Sequence, residues 1–87
     1  MKLQAIAARL PGTIVHGDGG VEVSEVAYDS RRVGPGTLFV AVRGLTTDGN
    51  QFVEAARRKG ATAVASENPP QAGGPWLQVP DARRALA

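Results

Sequence analysis

Two stretches of the chain have residue types and spacing that could do chemistry: Tyr28-Asp29-Ser30-Arg31-Arg32 and Gly44-Leu45-Thr46-Thr47-Asp48-Gly49. In the first, Ser30 and successive backbone N–H groups could hold an anion or the edge of a nucleobase. Arg31 or Arg32 could supply charge for a diphosphate. An Asx-type turn, in which Asp29 bonds its own backbone, accounts for the same residues, and spacing alone favours it. The second stretch runs into a helix, and a helix N-terminus with hydroxyls nearby suits an anion. There Asp48 competes for the role, because an aspartate cap occupies the same N–H donors that a phosphate would take.

Other chemistries are excluded by what is missing. The chain has no cysteine, so it has neither a disulfide framework nor a thiolate metal site. His16 is the single histidine and has no serine in a nucleophile-elbow context, so it reads as a satisfied strand-end or surface residue. Gly34-Pro35-Gly36 lacks the third glycine of a dinucleotide fingerprint and precedes a strand where the fingerprint follows one. No GxxxxGK[ST] phosphate loop occurs, so the chain by itself does not hydrolyse ATP. No apolar run reaches the ~18–20 residues of a membrane helix, and the start of the chain is too interrupted for a signal peptide.

The charge balance, 10 Lys and Arg against 8 Asp and Glu, is a mild bias that points to no acidic partner. Its basic groups, Arg31-Arg32, Arg57-Arg58-Lys59 and Arg83-Arg84, have no aromatic residues among them. The stacking platforms of single-strand binders are therefore absent. Solvated faces, or contacts to a small anion, fit better than nucleic acid.

The elements that must position the two loops follow from hydrophobic periodicity. With 87 residues the chain makes one domain with a thin core, built mostly from small aliphatic side chains. Leu3, Ile6, Ala7 and Leu10 form one stripe of a short helix, which Pro11-Gly12 stops. Thr13–His16 is a strand, Gly17–Gly20 a loop, and Val26–Tyr28 the end of a second strand. After the turn at Gly34–Gly36, Thr37–Val42 is apolar almost without a break, as in a parallel strand covered on both faces. Asp48 then caps a helix with Gln51 at the capping-box position and Phe52, Val53, Ala55 and Ala56 facing the core. Glu54 and Arg58 form an i,i+4 pair on that helix, and Gly60 ends it. Ala61–Ala65 is a further buried strand, completing a β-loop-α-β unit with an expected right-handed crossover. Residues 68–75 form a surface loop, Trp76–Val79 a short strand, and Asp81 caps a last helix over Ala82–Ala87. The expected fold is α/β: a small, mostly parallel sheet flanked by two or three helices. Because that last helix has barely begun at Ala87, the end of the chain is expected to be a boundary within a longer protein.

Taken in order, these segments resemble the N-terminal domain of the Mur ligases, the ATP-dependent amino-acid-adding enzymes of bacterial peptidoglycan precursor synthesis. The resemblance rests on Tyr28-Asp29-Ser30-Arg31-Arg32-Val33, Pro35-Gly36, Leu38-Phe39-Val40-Ala41, Gly44, Thr47-Asp48-Gly49, Phe52 and Gly60-Ala61. The segment Asp81–Ala87 looks like the lead into the family's central ATPase domain. Tyr28 and the Thr47-Asp48-Gly49 wording make the chain most similar to the members that add the third amino acid. The D-Ala-D-Ala-adding members are the alternative within the family, and a free-standing interaction module without a nucleotide site is the alternative outside it. Thr37 and Asn50 depart from the family's usual wording, at positions not assigned to ligand contact.

The resemblance implies a domain that grips the uridine nucleotide end of UDP-MurNAc-L-Ala-D-Glu through Tyr28, Ser30, Leu45, Thr46 and Thr47, with Arg31 and Arg32 near the diphosphate. It implies no catalytic residue, metal or cofactor in this chain. ATP and Mg2+ belong to the parent enzyme, which adds diaminopimelate or lysine using its central and C-terminal domains as partners. It also implies a bacterial cytoplasmic setting, with neither nucleic acid nor membrane as partner.

Overall fold

The computed structural model describes residues 1–44, 48–71 and 74–86. Five strands form one sheet: β1 (Ile14–His16), β2 (Glu25–Ala27), β3 (Thr37–Val40), β4 (Ala63–Ser66) and β5 (Trp76–Gln78). Across the sheet they lie in the order β1-β5-β4-β3-β2. The strands β2 to β5 are parallel and adjacent in chain order, and β1 closes the far edge antiparallel to β5. Register is set by the pairs Val26–Leu38, Phe39–Val64 and Ala65–Leu77.

Every residue of β3 and β4 is buried, as the unbroken apolar run of β3 requires. Side chains alternate across the sheet, so two cores form. Leu38, Val40, Ala63, Ala65 and Leu77 pack on one face with Leu3, Ile6 and Ala7 of α1 (Leu3–Ala8). Phe39, Ala41, Val64 and Trp76 pack on the other with Val53 and Ala56 of α2 (Val53–Arg58) and with Val33. The expected stripe on α1 is therefore the observed one, with Leu3 completely buried and Leu10 packed beside it.

Two helices differ from expectation. Asp48 caps a short 3-10 turn, Gly49–Phe52, rather than an α-helix, and α2 begins only at Val53. The Asp48 carboxylate accepts from the Asn50 backbone N–H, two residues on, and the Gln51 N–H goes to the Asp48 carbonyl, which winds the backbone tightly. This displaces the expected face of the helix: Val53 and Ala56 are buried, whereas Phe52 and Ala55 are exposed. The last helix is likewise a 3-10 turn, Arg84–Leu86, held by bonds from Arg84, Ala85 and Leu86 N–H to carbonyls three residues back. Asp81 does cap this segment, accepting from the Arg83 N–H at 3.0 Å. At the end of α2, Gly60 has φ +101°, a conformation that a side chain would strain.

Phe39 is completely buried at the centre of its core. Phe39→Ala is expected to lower stability by about 3–5 kcal/mol, measured by urea unfolding followed through Trp76 fluorescence.

Candidate functional site

In open α/β sheets ligands bind beyond the carboxyl ends of the strands. Here the chain leaves β2 at Tyr28 and β3 at Ala41, and a groove of about 450 Å³ lies beyond the two exits. Tyr28, Asp29, Ser30 and Arg31 form one wall, and Val42, Gly44, Gly49 and Phe52 form the other. The structure thus brings both candidate loops to a single place. Leu45, Thr46 and Thr47 lie outside the described residues; Gly44 before them and Gly49 after them line the groove's far wall.

The first wall is shaped by a single carboxylate. Asp29 Oδ1 accepts from the Arg31 backbone N–H at 2.9 Å, the Asx turn that spacing alone favours, and starts the 3-10 turn Ser30–Arg32. The same carboxylate takes the Arg31 guanidinium in a forked pair, Nε to Oδ1 at 3.0 Å and Nη2 to Oδ2 at 2.8 Å. These bonds, with the Arg31 side chain first among them, hold the Asp29 carboxyl down at about 2. The turn leaves Ser30 lining the groove, with no side-chain hydrogen bond to another described residue. Tyr28 is 68% exposed, its ring at the rim. Arg31 faces the groove already paired, so an incoming anion meets a guanidinium that is largely neutralised. Arg32 lies in a neighbouring cleft with Val26, Ala27 and Tyr28.

The opposite wall is fastened at its base. Arg43 and Asp48 pair as a β-bridge, with Nε and Oδ2 3.6 Å apart. The Gly49 N–H donates to the Val42 carbonyl at 2.8 Å. Backbones approach so closely here that a Cβ on Gly49 would lie 2.8 Å from Val42 N and 2.9 Å from Val42 O. Asp48 is held below its usual value by the hydrogen bonds from Asn50, backbone first, and then by Arg43.

Sequence reasoning missed Val42 and Phe52 as groove residues, having placed Phe52 against the core. No residue type marked them: the Asn50 N–H that Asp48 takes is a backbone group, and an aspartate cap precedes either kind of turn. His16 is the satisfied strand-end residue it reads as, with Nε2 3.1 Å from Gln78 Oε1. Each basic group contains an arginine paired with a nearby acid: Arg31 with Asp29, Arg58 with Glu54 at 3.0 Å, and Arg84 with Asp81 at 3.9 Å. No helix is long and apolar enough to cross a membrane among the described residues.

A mostly parallel sheet covered on both faces, with a groove beyond the carboxyl ends of β2 and β3, defines a small α/β domain. The chain belongs to the Mur ligase family: the family model described as "Mur ligase family, catalytic domain" matches residues 22–87. It is 46% identical, over its whole length, to the UDP-N-acetylmuramoyl-L-alanyl-D-glutamate--2,6-diaminopimelate ligase of Geobacillus thermodenitrificans, of which it covers 18%. Over 82% of its length it is 55% identical to the ligase of the same name from Chlorobaculum tepidum, covering 15% of that protein. It is also similar, at 51% identity over 69 residues, to the UDP-N-acetylmuramyl-tripeptide synthetase of a Roseiflexus strain, covering 14% of it. Among solved structures it resembles MurF of Acinetobacter baumannii, with a TM-score of 0.88, 28% identity, and 98% of this chain and 19% of that one covered. The chain thus spans less than a fifth of the length of these relatives. The expected fold is the observed one, and the sequence likeness favours the members that add the third residue.

Two outcomes follow from this geometry. Gly49→Ala must push apart the Val42–Gly49 approach, so its thermal midpoint is expected to fall well below that of Gly34→Ala, where a Cβ meets open space. The folded-state Asp29 carboxyl lies below its ordinary value of 3.8, so its contribution to stability is complete above that value and disappears as pH falls toward 2. Carbon-detected NMR titration is expected to place the Asp29 midpoint near 2 in the wild type and to move it upward in Arg31→Ala.

Proposed function

We propose that the chain is the uridine-nucleotide-anchoring domain of an ATP-dependent ligase that adds the third amino acid to UDP-MurNAc-L-Ala-D-Glu. The observation that carries this reading is the single groove shared by Tyr28, Ser30 and the base of the 44–49 loop. The names of the relatives support it, since they act on this dipeptide precursor or are called tripeptide synthetases. Identities of 46% to the Geobacillus thermodenitrificans ligase and 51% to the Roseiflexus synthetase, against 28% for MurF, favour third-residue addition over D-Ala-D-Ala addition. Diaminopimelate is the amino acid named for the relatives.

In this reading the Tyr28 ring offers a face to the pyrimidine, and the Ser30 hydroxyl bonds its polar edge. Leu45, Thr46 and Thr47 are the further nucleotide contacts that the family resemblance implies. Arg31 reaches the diphosphate by exchanging Asp29 for a phosphate oxygen, and Arg32 adds charge from the neighbouring cleft. Holding the nucleotide far from the reacting carboxylate orients that carboxylate for chemistry performed by the rest of the enzyme. The residues present do not fit ATP or Mg2+. The sequence has no GxxxxGK[ST] loop, and no metal-binding group of His, Cys, Asp and Glu occurs among the described residues. The central and C-terminal domains of the parent enzyme carry that chemistry, in the bacterial cytoplasm where its substrates are made.

Titration of the 15N-labelled chain with UDP tests the proposal. Saturable amide shifts are expected at residues 28–32 and 44–49. Shifts confined elsewhere, or none at millimolar UDP, would sink it. Ser30→Ala is expected to weaken UDP binding by about three- to tenfold, the range set by one hydrogen bond, with an unchanged thermal midpoint.

A further inference from the structure

The 44–49 wall of the groove is tied to the end of β4 by a chain of side chains to which the nucleotide reading assigns no role. The Asn68 backbone N–H donates to Ser66 Oγ at 3.0 Å, and the Ser66 hydroxyl in turn donates to Asn50 Oδ1. Asn50 Nδ2 donates to Asp48 Oδ1 at 2.7 Å, and Asp48 Oδ2 faces Arg43. From Asn68 to Asp48 the donors point one way, so each hydrogen bond polarises the next, and Arg43 meets the Asp48 carboxylate from the other end. Ser66 is completely buried at the carboxyl end of β4, the most enclosed strand besides β3. A buried hydroxyl there costs stability unless it is bonded on both sides, as it is here. The neighbour at the far end is also fixed, because the Asn68 carbonyl accepts the indole N–H of buried Trp76 at 3.0 Å.

We propose that Asn50 is a positioning residue. By joining Ser66 to Asp48 it fixes where the 44–49 loop leaves and re-enters the fold, and so sets the width of the groove. The consequence for binding rests on the nucleotide reading above. Asn50 itself does not line the groove. It acts through Gly49 beside it, whose amide is bonded to Val42, and through Asp48, whose bridge to Arg43 closes the loop. Without the Asn50 side chain, Asp48 keeps the Asn50 backbone N–H, its bridge to Arg43 and an ion pair with an arginine that is 75% exposed, and none of these ties it to β4. The chain also accounts for the tight 3-10 turn: one Asp48 oxygen takes both the backbone and the side-chain N–H of Asn50.

The test uses Ser66→Ala and Asn50→Leu, which break the chain at different points, and Ile6→Ala on the opposite face as a control for stability alone. UDP affinity, thermal midpoint and the Gly49 amide exchange rate are measured for each. Ser66→Ala and Asn50→Leu are expected to weaken UDP binding by about three- to tenfold and to speed Gly49 exchange about tenfold or more. Exchange at Val64 and Ala65 is expected to change no more than the global stability does. Ile6→Ala is expected to lower the midpoint while leaving UDP affinity and the ratio of Gly49 to Val64 exchange as in wild type. If Ser66→Ala and Asn50→Leu lower the midpoint but keep wild-type affinity, the proposal is overturned. It is equally overturned if Gly49 exchange rises only in step with Val64. A wild-type chain that ignores UDP instead overturns the nucleotide reading, and the Gly49 exchange result then decides the positioning claim by itself.

Discussion

Leu38 and Val40 point to one side of β3, Phe39 and Ala41 to the other, and none of the four reaches water. A strand buried on both faces, with parallel partners on both edges, can exist only if helical or looped chain covers each face. That requirement organises the rest of the domain. It places α1 and the Asp81–Leu86 segment over one core and α2 with Val33 over the other. It also sends every β2-to-β5 connection from the carboxyl end of one strand to the amino end of the next. The loops that leave β2 and β3 therefore emerge side by side, and the groove is a consequence of the parallel arrangement.

Within the groove, rigidity comes from short local bonds. Asp29 clips its own turn and Arg31 together on one wall, while Asp48 clips Asn50 and Arg43 on the other. Each carboxylate is held charged by its donors, and each lies at the start of a 3-10 turn. The walls differ in what anchors them. The first hangs on an exposed ion pair at the edge strand, the second on a polar chain that ends at a completely buried serine. A surface ion pair is a soft restraint, and a satisfied buried chain is a stiff one.

Much of this was legible beforehand, for identifiable reasons. The buried strands, the α1 stripe, the Glu54–Arg58 pair and Gly60 as a helix end follow from local rules of period and capping, which act within a few residues. The two misjudged helices failed at the same point. Asp48 and Asp81 were recognised as caps, but a cap does not choose between an α-turn and a 3-10 turn; the backbone bonds after it do, and here the Gln51 and Arg84 N–H groups reach back only three residues. Phe52 was misplaced as a direct result, since a 3-10 start rotates its side chain out of the core and onto the groove. The Asx turn at Asp29 was legible from spacing. The forked grip on Arg31, which turns a candidate free cation into a neutralised pair, was not.

By itself the sequence determined the class of fold, the two chemistry-bearing loops and the family to which the chain belongs, because these depend on residue type, period and order along the chain. The tertiary structure decided that the loops meet in one groove, that Val42 and Phe52 line it, and that Asn50 reaches Ser66 sixteen residues away. Those facts depend on strand order and register. Parallel neighbours bring the ends of separate segments together, and contacts so distant along the chain leave no periodic trace in the sequence.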